Sequence, residues 1–295
     1  MAELIVVGLI VGSIIALGAI GLTLVYGILK FANFAHGDLM TLGAYIAFLA
    51  FKTGGHLGPL SFGPGMIAAI LAAMAFVAVL CVVIDRLVYR PLRRRNANLV
   101  ILAMASLGMA IILRSVVYLR WGPDTHFYVT GIQQAHNFPL GTKLKPDQMF
   151  IGVVAVLSVL LVYLLLYRTK LGRAMRATAD NMDLARVSGI DTEHVVVWTW
   201  LIGGSLAALA GVLLGIQSHL MPEMGFDFLL PLFSAAILGG VGSPHGALVG
   251  AFTVGISQEL STEWISPAYK PVIAFVLLFA ILLVRPQGIF GAKKQ

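Results

Sequence analysis

LIVVGLIVGSIIALGAIGLTLVYGIL, residues 4–29, is a run of 26 positions without one charged side chain. A helix rises about 1.5 Å per residue, so about 20 apolar residues cross a hydrocarbon core of ~30 Å. The run exceeds a signal-peptide core, and the three residues before it hold no basic cluster, so it reads as a retained span. Working outward, further uncharged runs cover residues 39–51, 66–84, 97–113, 149–167, 195–221, 228–258 and 272–284. The fourth of these lengthens to residue 119 if Arg114 snorkels. The run at 228–258 is interrupted by Gly-Gly-Val-Gly-Ser-Pro-His-Gly at 239–246. Only helices and closed barrels satisfy the backbone in lipid, and these runs lack the period-2 alternation of barrel strands. The fold class is therefore an all-α polytopic integral membrane protein with about 8–9 transmembrane segments, some short or broken.

Composition excludes the main competitors. Apolar residues make up 59% of the 295 and charged residues 11%, with a mean hydropathy of +0.94. A soluble domain carries roughly 25% charge, so a soluble enzyme, a disordered chain and a collagen-like chain are all excluded. The net charge of +7 would suggest nucleic acid in a soluble protein. Here the basic residues read as topology signals, and no nucleic acid is expected. Cys81 is the single cysteine, inside an apolar run, and reads as a small core residue.

With the N-terminus outside and nine crossings, 14 Lys and Arg fall on the cytoplasmic side and 5 outside. The positive-inside rule then predicts a cytoplasmic C-terminus and basic cytoplasmic loops at 85–96 and 168–194. The polar segment 120–148 reads as a periplasmic loop too poor in apolar residues for a core of its own, leaving 1–295 as a single transmembrane domain. Glycines recur at four-residue spacing as Gly8 and Gly12, Gly211 and Gly215, and Gly246 and Gly250. Such spacing lets backbones approach closely, within the chain or between subunits.

No phosphate loop of the G-x-x-x-x-G-K-[ST] type, no H-E-x-x-H or paired cysteines, and no G-x-S-x-G elbow is present. The chain is therefore expected to have no catalytic residues and no metal, and to be a transport subunit rather than an enzyme. Nor does a charge stand at the centre of a span, as proton-coupled transporters usually require.

Two segments stand out. Residues 30–40, Lys-Phe-Ala-Asn-Phe-Ala-His-Gly-Asp-Leu-Met, form a polar break between apolar runs. Asp38 can cap a helix starting at Leu39 and Gly37 permits a turn. Alternatively the break lines a substrate pathway through Asn33, His36, Gly37 and Asp38, as broken helices do in transporters. The second segment, 168–191, is basic but rich in helix formers, with Ala174, Ala177 and Ala185, and with Gly189 at a helix end. It reads either as a solvated loop or as a short amphipathic helix that docks another subunit.

The run Tyr26-Gly-Ile-Leu-Lys-Phe-Ala-Asn-Phe-Ala-His-Gly-Asp-Leu-Met-Thr-Leu-Gly-Ala-Tyr45 resembles the signature of permease subunits of branched-chain amino-acid ABC importers. The stretch Gly172-Arg-Ala-Met-Arg-Ala177, with Ala185, Gly189 and Ile190, is similar to that family's ATPase-coupling loop. Leu238-Gly-Gly-Val-Gly-Ser243, Gly246 and Arg285-Pro-Gln-Gly-Ile-Phe-Gly291 also match, and Pro244-His245 departs from the family's usual pair. The resemblance implies the H-type subunit, paired with a second homologous permease, two ATPase subunits that bind ATP and Mg, and a periplasmic substrate-binding protein. It implies no cofactor on this chain itself and a place in the bacterial inner membrane. It assigns ATPase coupling to Gly172, Arg173, Ala174, Arg176, Ala177, Ala185, Gly189 and Ile190. Urea and short-amide permeases share the family, and a self-sufficient channel or facilitator is the rival from another class.

Overall fold

The computed structural model describes residues 1–53, 63–129, 136–137 and 143–291. Among them the chain is almost entirely helical: α1 (Ala2–Leu29), α2 (His36–Thr53), α3 (Pro64–Ile84), α4 (Arg90–Arg94), α5 (Leu99–Trp121), α6 (Pro146–Arg168), α7 (Lys170–Asp180), α8 (Met182–Val187), α9 (Thr192–Gln217), α10 (Met224–Gly239), α11 (Pro244–Ser261) and α12 (Lys270–Val284). The two-residue strands β1 (His136–Asn137) and β2 (Lys143–Leu144) pair antiparallel. Six helices are long and apolar enough to cross a membrane, and α10 is apolar but shorter.

Most of α1 and α9 is buried, and the other helices wrap around them. α3, α5, α6 and α12 turn one apolar face outward, with Leu71, Ile111, Leu161 and Leu283 all exposed. A soluble protein could not leave so much apolar surface in water.

The basic residues gather at one end of the bundle. α1 closes there with Lys30 in the left-handed conformation, and Lys30 Nζ donates to Ala179 O of α7 at 2.6 Å. Arg90 pairs with Glu193 at the start of α9, 2.9 Å apart. The turn between α10 and α11 lies beside Gly27, and the tail returns to it: Ile289 N donates to Leu238 O and Phe290 N to Gly239 O. At the opposite end His126 pairs with Leu220, Tyr128 donates to Ala44 O, and Lys270 meets Glu259.

Three segments take a definite local form. The basic stretch 85–96 is mostly not a loop. α3 passes without a break through a π-helical turn, Asp85–Tyr89, into α4, because Arg93 reaches back to Asp85 through two hydrogen bonds of 2.6 and 3.1 Å. The break at 239–246 holds a tight turn between the two short helices α10 and α11. The described part of 120–148 is tucked down, with Trp121, His126 and Tyr128 against Tyr45, Phe48 and Phe51 of α2. Residues 130–135 and 138–142 of that loop lie outside the described residues.

All three glycine pairs pack within the chain. Gly8 and Gly12 face Ile256 and Phe252 of α11, where Gly255 presses on Gly12 in turn. Gly211 abuts the backbone of Met40, Gly215 abuts Leu220 and Tyr128, and Gly246 and Gly250 abut Gly239 and Ala235. A Cβ at these points would meet backbone or packed side chain, so glycine sets the helix spacing.

Candidate functional site

α1 ends at Leu29, and the chain does not simply turn. Residues 31–35 run back into the bundle as irregular backbone before α2 starts at His36. His36 Nε2 lies 2.9 Å from Gly18 O. Gly18 is 11 residues above Leu29, so α2 starts about 16 Å inside the basic end, near the middle of a ~30 Å core.

Irregular backbone at that depth must be satisfied by protein or water, and here protein supplies the partners. Phe34 N donates to Ser106 Oγ of α5 at 3.0 Å. Ala35 N donates to Asn33 Oδ1 at 3.2 Å, and His36 N to Asn33 O at 3.3 Å. Tyr89, at the end of the π-helical turn, brings its hydroxyl to Asn33 Oδ1 at 3.5 Å and stacks on Trp200. Among the described residues, Asn33 Nδ2 has no hydrogen-bond partner. Gly37 lies against Gly225 O, where a Cβ would not fit. Gly225 N donates to Thr41 Oγ1 at 3.0 Å, joining the starts of α2 and α10.

Asp38 does not cap a helix beginning at Leu39. α2 is already under way, and the carboxylate is instead fully buried against Arg114 of α5. Arg114 Nε donates to Oδ1 at 2.9 Å and Nη2 to Oδ2 at 3.2 Å. Arg114 therefore does not snorkel. Its guanidinium lies over the Phe226 ring of α10, 4.1 Å from the centroid. A buried charge needs a hydrogen-bonded counter-charge, and the bidentate fork provides one.

The four residues expected to line a pathway lie together at this break, with the Asn33, His36 and Asp38 side chains buried. The partly exposed side chain of the break is Phe34, paired with Phe233 at 5.5 Å. Ser106, Tyr89 and Arg114 were missed by sequence reasoning. Arg114 carried a signal as the lone charge in an apolar run; Ser106 and Tyr89 carried none, because their partners are 72 and 56 residues away.

The second segment folds as an elbow of two short helices. Thr169 caps α7 by accepting from Gly172 N, Asn181 caps α8 through Leu184 N, and Asp191 caps α9 through His194 N. Gly172 sits buried in the first turn of α7 against the carbonyls of Leu165 and Leu166. Arg176 turns inward, donating to Leu166 O at 2.6 Å and lying over Tyr167. Arg173 faces solvent, Ala174 and Ala177 are half-buried, Ala185 is buried, and Ile190 is half-buried. Gly189 has φ 86° at the end of α8, a conformation that favours glycine. Leu184 and Val187, which the sequence reading passed over, project from α8 with 62% and 81% exposure. His245 stacks on Tyr167, 4.9 Å between ring centroids, beside a cleft of about 340 Å³ between α1, α6 and α11.

The chain resembles known permeases along nearly its whole length. It is 36% identical over 295 residues to the high-affinity branched-chain amino acid transport system permease protein LivH of Escherichia coli K12, covering 96% of this chain and 93% of that one. It is 37% identical to BraD, the corresponding protein of Pseudomonas aeruginosa, covering 96% and 94%. A protein described as a probable branched-chain amino acid transport permease LivH from Methanocaldococcus jannaschii is 32% identical, covering 96% and 90%. Among solved structures, PsaBC from Streptococcus pneumoniae in complex with Fab aligns over 98% of this chain and 93% of that chain, with a TM-score of 0.53 at 12% identity, a likeness of fold. The family described as branched-chain amino acid transport system / permease component matches residues 4–282. This chain is a multi-pass membrane protein and belongs to that permease family.

Proposed function

We propose that this chain is one membrane-spanning subunit of an ATP-driven importer of branched-chain amino acids in the inner membrane. A second homologous permease completes the path. Two ATPase subunits bind ATP and Mg and drive it, and a periplasmic binding protein delivers the cargo. The chain crosses nine times, with α1, α2, α3, α5, α6, α9, α10, α11 and α12, from an outside N-terminus to a cytoplasmic C-terminus. The clustering of basic residues at the end where α1 closes and the tail returns supports this orientation.

The observation that carries the reading is the α7–α8 elbow at the basic end. Its two helices are capped, so it is rigid rather than a solvated loop. Its exposed apolar pair, Leu184 and Val187, flanks the exposed cation Arg186 on α8, and Arg173 is exposed on α7. Arg176, Gly172 and Lys30 tie the elbow to α6 and α1, so a push on α8 reaches the helix break at Asn33 through α1. The break then acts as the moving part of the path.

Reconstitution tests this. The purified permease pair in proteoliposomes takes up leucine only when the ATPase subunits, ATP and loaded binding protein are all present. Leucine conduction by the permease alone would make it a facilitator and overturn the reading.

A further inference from the structure

The charge cluster around Arg114 is not exhausted by the helix break. Asp38 uses Nε and Nη2 of the guanidinium, and Nη1 has no hydrogen-bond partner among the described residues. The Asp38 side chain is fully buried, whereas that of Arg114 keeps 20% exposure. Arg114 is therefore the exposed member of the pair, and its guanidinium lies against Phe226 of α10. Asp227, next to Phe226 and one turn into α10, is exposed and forms no ion pair among the described residues. Glu223 is exposed just before α10, where its Oε1 accepts from the hydroxyl of Tyr118, one turn along α5 from Arg114, at 3.1 Å. Phe226 covers one face of the guanidinium and is itself exposed.

Arg114 is seven residues from the end of α5, about 10 Å inside the outer end of the bundle. Ionisable groups at such depth face protein or a water-filled cavity, not acyl chains. A guanidinium edge, two carboxylates and an aromatic ring together match an α-amino acid: carboxylate, ammonium and aliphatic side chain. The bland account of Asp227, an acid at a helix N-terminus, explains neither the free Nη1 nor the exposed ring.

We infer that this mixed-charge patch is a zwitterion-reading site in the outer half of the path, with Arg114 Nη1 taking the substrate carboxylate and Asp227, with Glu223, taking its ammonium. The apolar side chain lies against Phe226. The inference rests on the importer reading above. The Asp38–Arg114 pair is net neutral, and the two remaining carboxylates bias the site against free anions and toward the ammonium end of a zwitterion. The site holds cargo weakly because only one guanidinium nitrogen is left to it, as a site that must also release its cargo requires.

The test is leucine uptake per ATP hydrolysed by the complete complex in proteoliposomes, with loaded binding protein. Arg114→Gln alone leaves Asp38 buried and unpaired, so the decisive variant is the neutral pair Asp38→Asn/Arg114→Gln, beside Asp227→Asn at an exposed position. Loss of a charged hydrogen-bond partner lowers the leucine-to-ATP ratio roughly 10- to 100-fold; Arg114→Lys recovers part of it. If the double variant does not assemble, Asp227→Asn carries the test. An unchanged ratio in assembled Asp227→Asn overturns the site, and so does an unchanged ratio in an assembled double variant. Failure of the wild-type complex to import leucine at all would instead overturn the importer reading.

Discussion

The elbow offers the cleanest perturbation, because Leu184 and Val187 touch so little of their own chain. Burying a methylene or methyl contributes about 0.8 kcal/mol. Leu184→Ala removes three carbons at 62% exposure and Val187→Ala removes two at 81%. If docking covers both fully, the first loses about 1.5 kcal/mol and the second about 1.3 kcal/mol of association free energy. Together they amount to about 3 kcal/mol, roughly a hundredfold in affinity. Side chains ordered on docking recover part of this, so the expected loss for the double variant is roughly 10- to 100-fold. The fold should not notice: both side chains face solvent, and alanine is the better helix former. Titrating the ATPase subunit onto the detergent-solubilised permease pair and measuring bound fraction gives the affinity. Thermal unfolding of the permease alone gives the control. An unchanged affinity, with the permease intact, would show that α8 does not dock there and that its apolar pair serves another purpose, such as resting on the lipid interface.

Replacing Arg176 by Ala removes a charged hydrogen bond to Leu166 O and the contact with Tyr167. It should cost about 1.5–3 kcal/mol at the elbow and reduce uptake while membrane insertion, scored by expression in the membrane fraction, persists. At Gly255 an added Cβ would sit 2.5 Å from Gly12 Cα, against the 3.5–4.0 Å of ordinary carbon contacts. Gly255→Leu should therefore lower the melting temperature of the purified protein by the equivalent of about 1–3 kcal/mol or more, whereas Gly108→Leu, where an added Cβ meets nothing within 4 Å, should not. Equal effects would refute the α1–α11 seam. A cysteine at position 182 should react with an impermeant maleimide only from the cytoplasmic side, against a silent background because Cys81 is buried. Labelling from the periplasm in intact cells would invert the topology.

Membrane residence was legible in residues 4–29 alone, because a run without charge over 26 positions leaves lipid as its only solvent. Helix punctuation was partly legible too: Gly189 at the end of α8 and the glycine pairs follow from backbone geometry, which is local. The family motifs marked both segments that matter. Whether 168–194 was a loop or an elbow was open until the caps at Thr169, Asn181 and Asp191 were seen. The fate of Asp38 was not legible. A carboxylate before an apolar run looks like a cap to any local rule, and its partner Arg114 lies 76 residues along. The same holds for Ser106 against Phe34 and for Gly37 against Gly225. Hydropathy and propensity are sums over neighbours in the chain, so they determine that the chain spans a membrane and roughly where its helices lie. A buried ion pair or an irregular backbone satisfied from another helix depends on which helices lie side by side, and that only the tertiary structure decided.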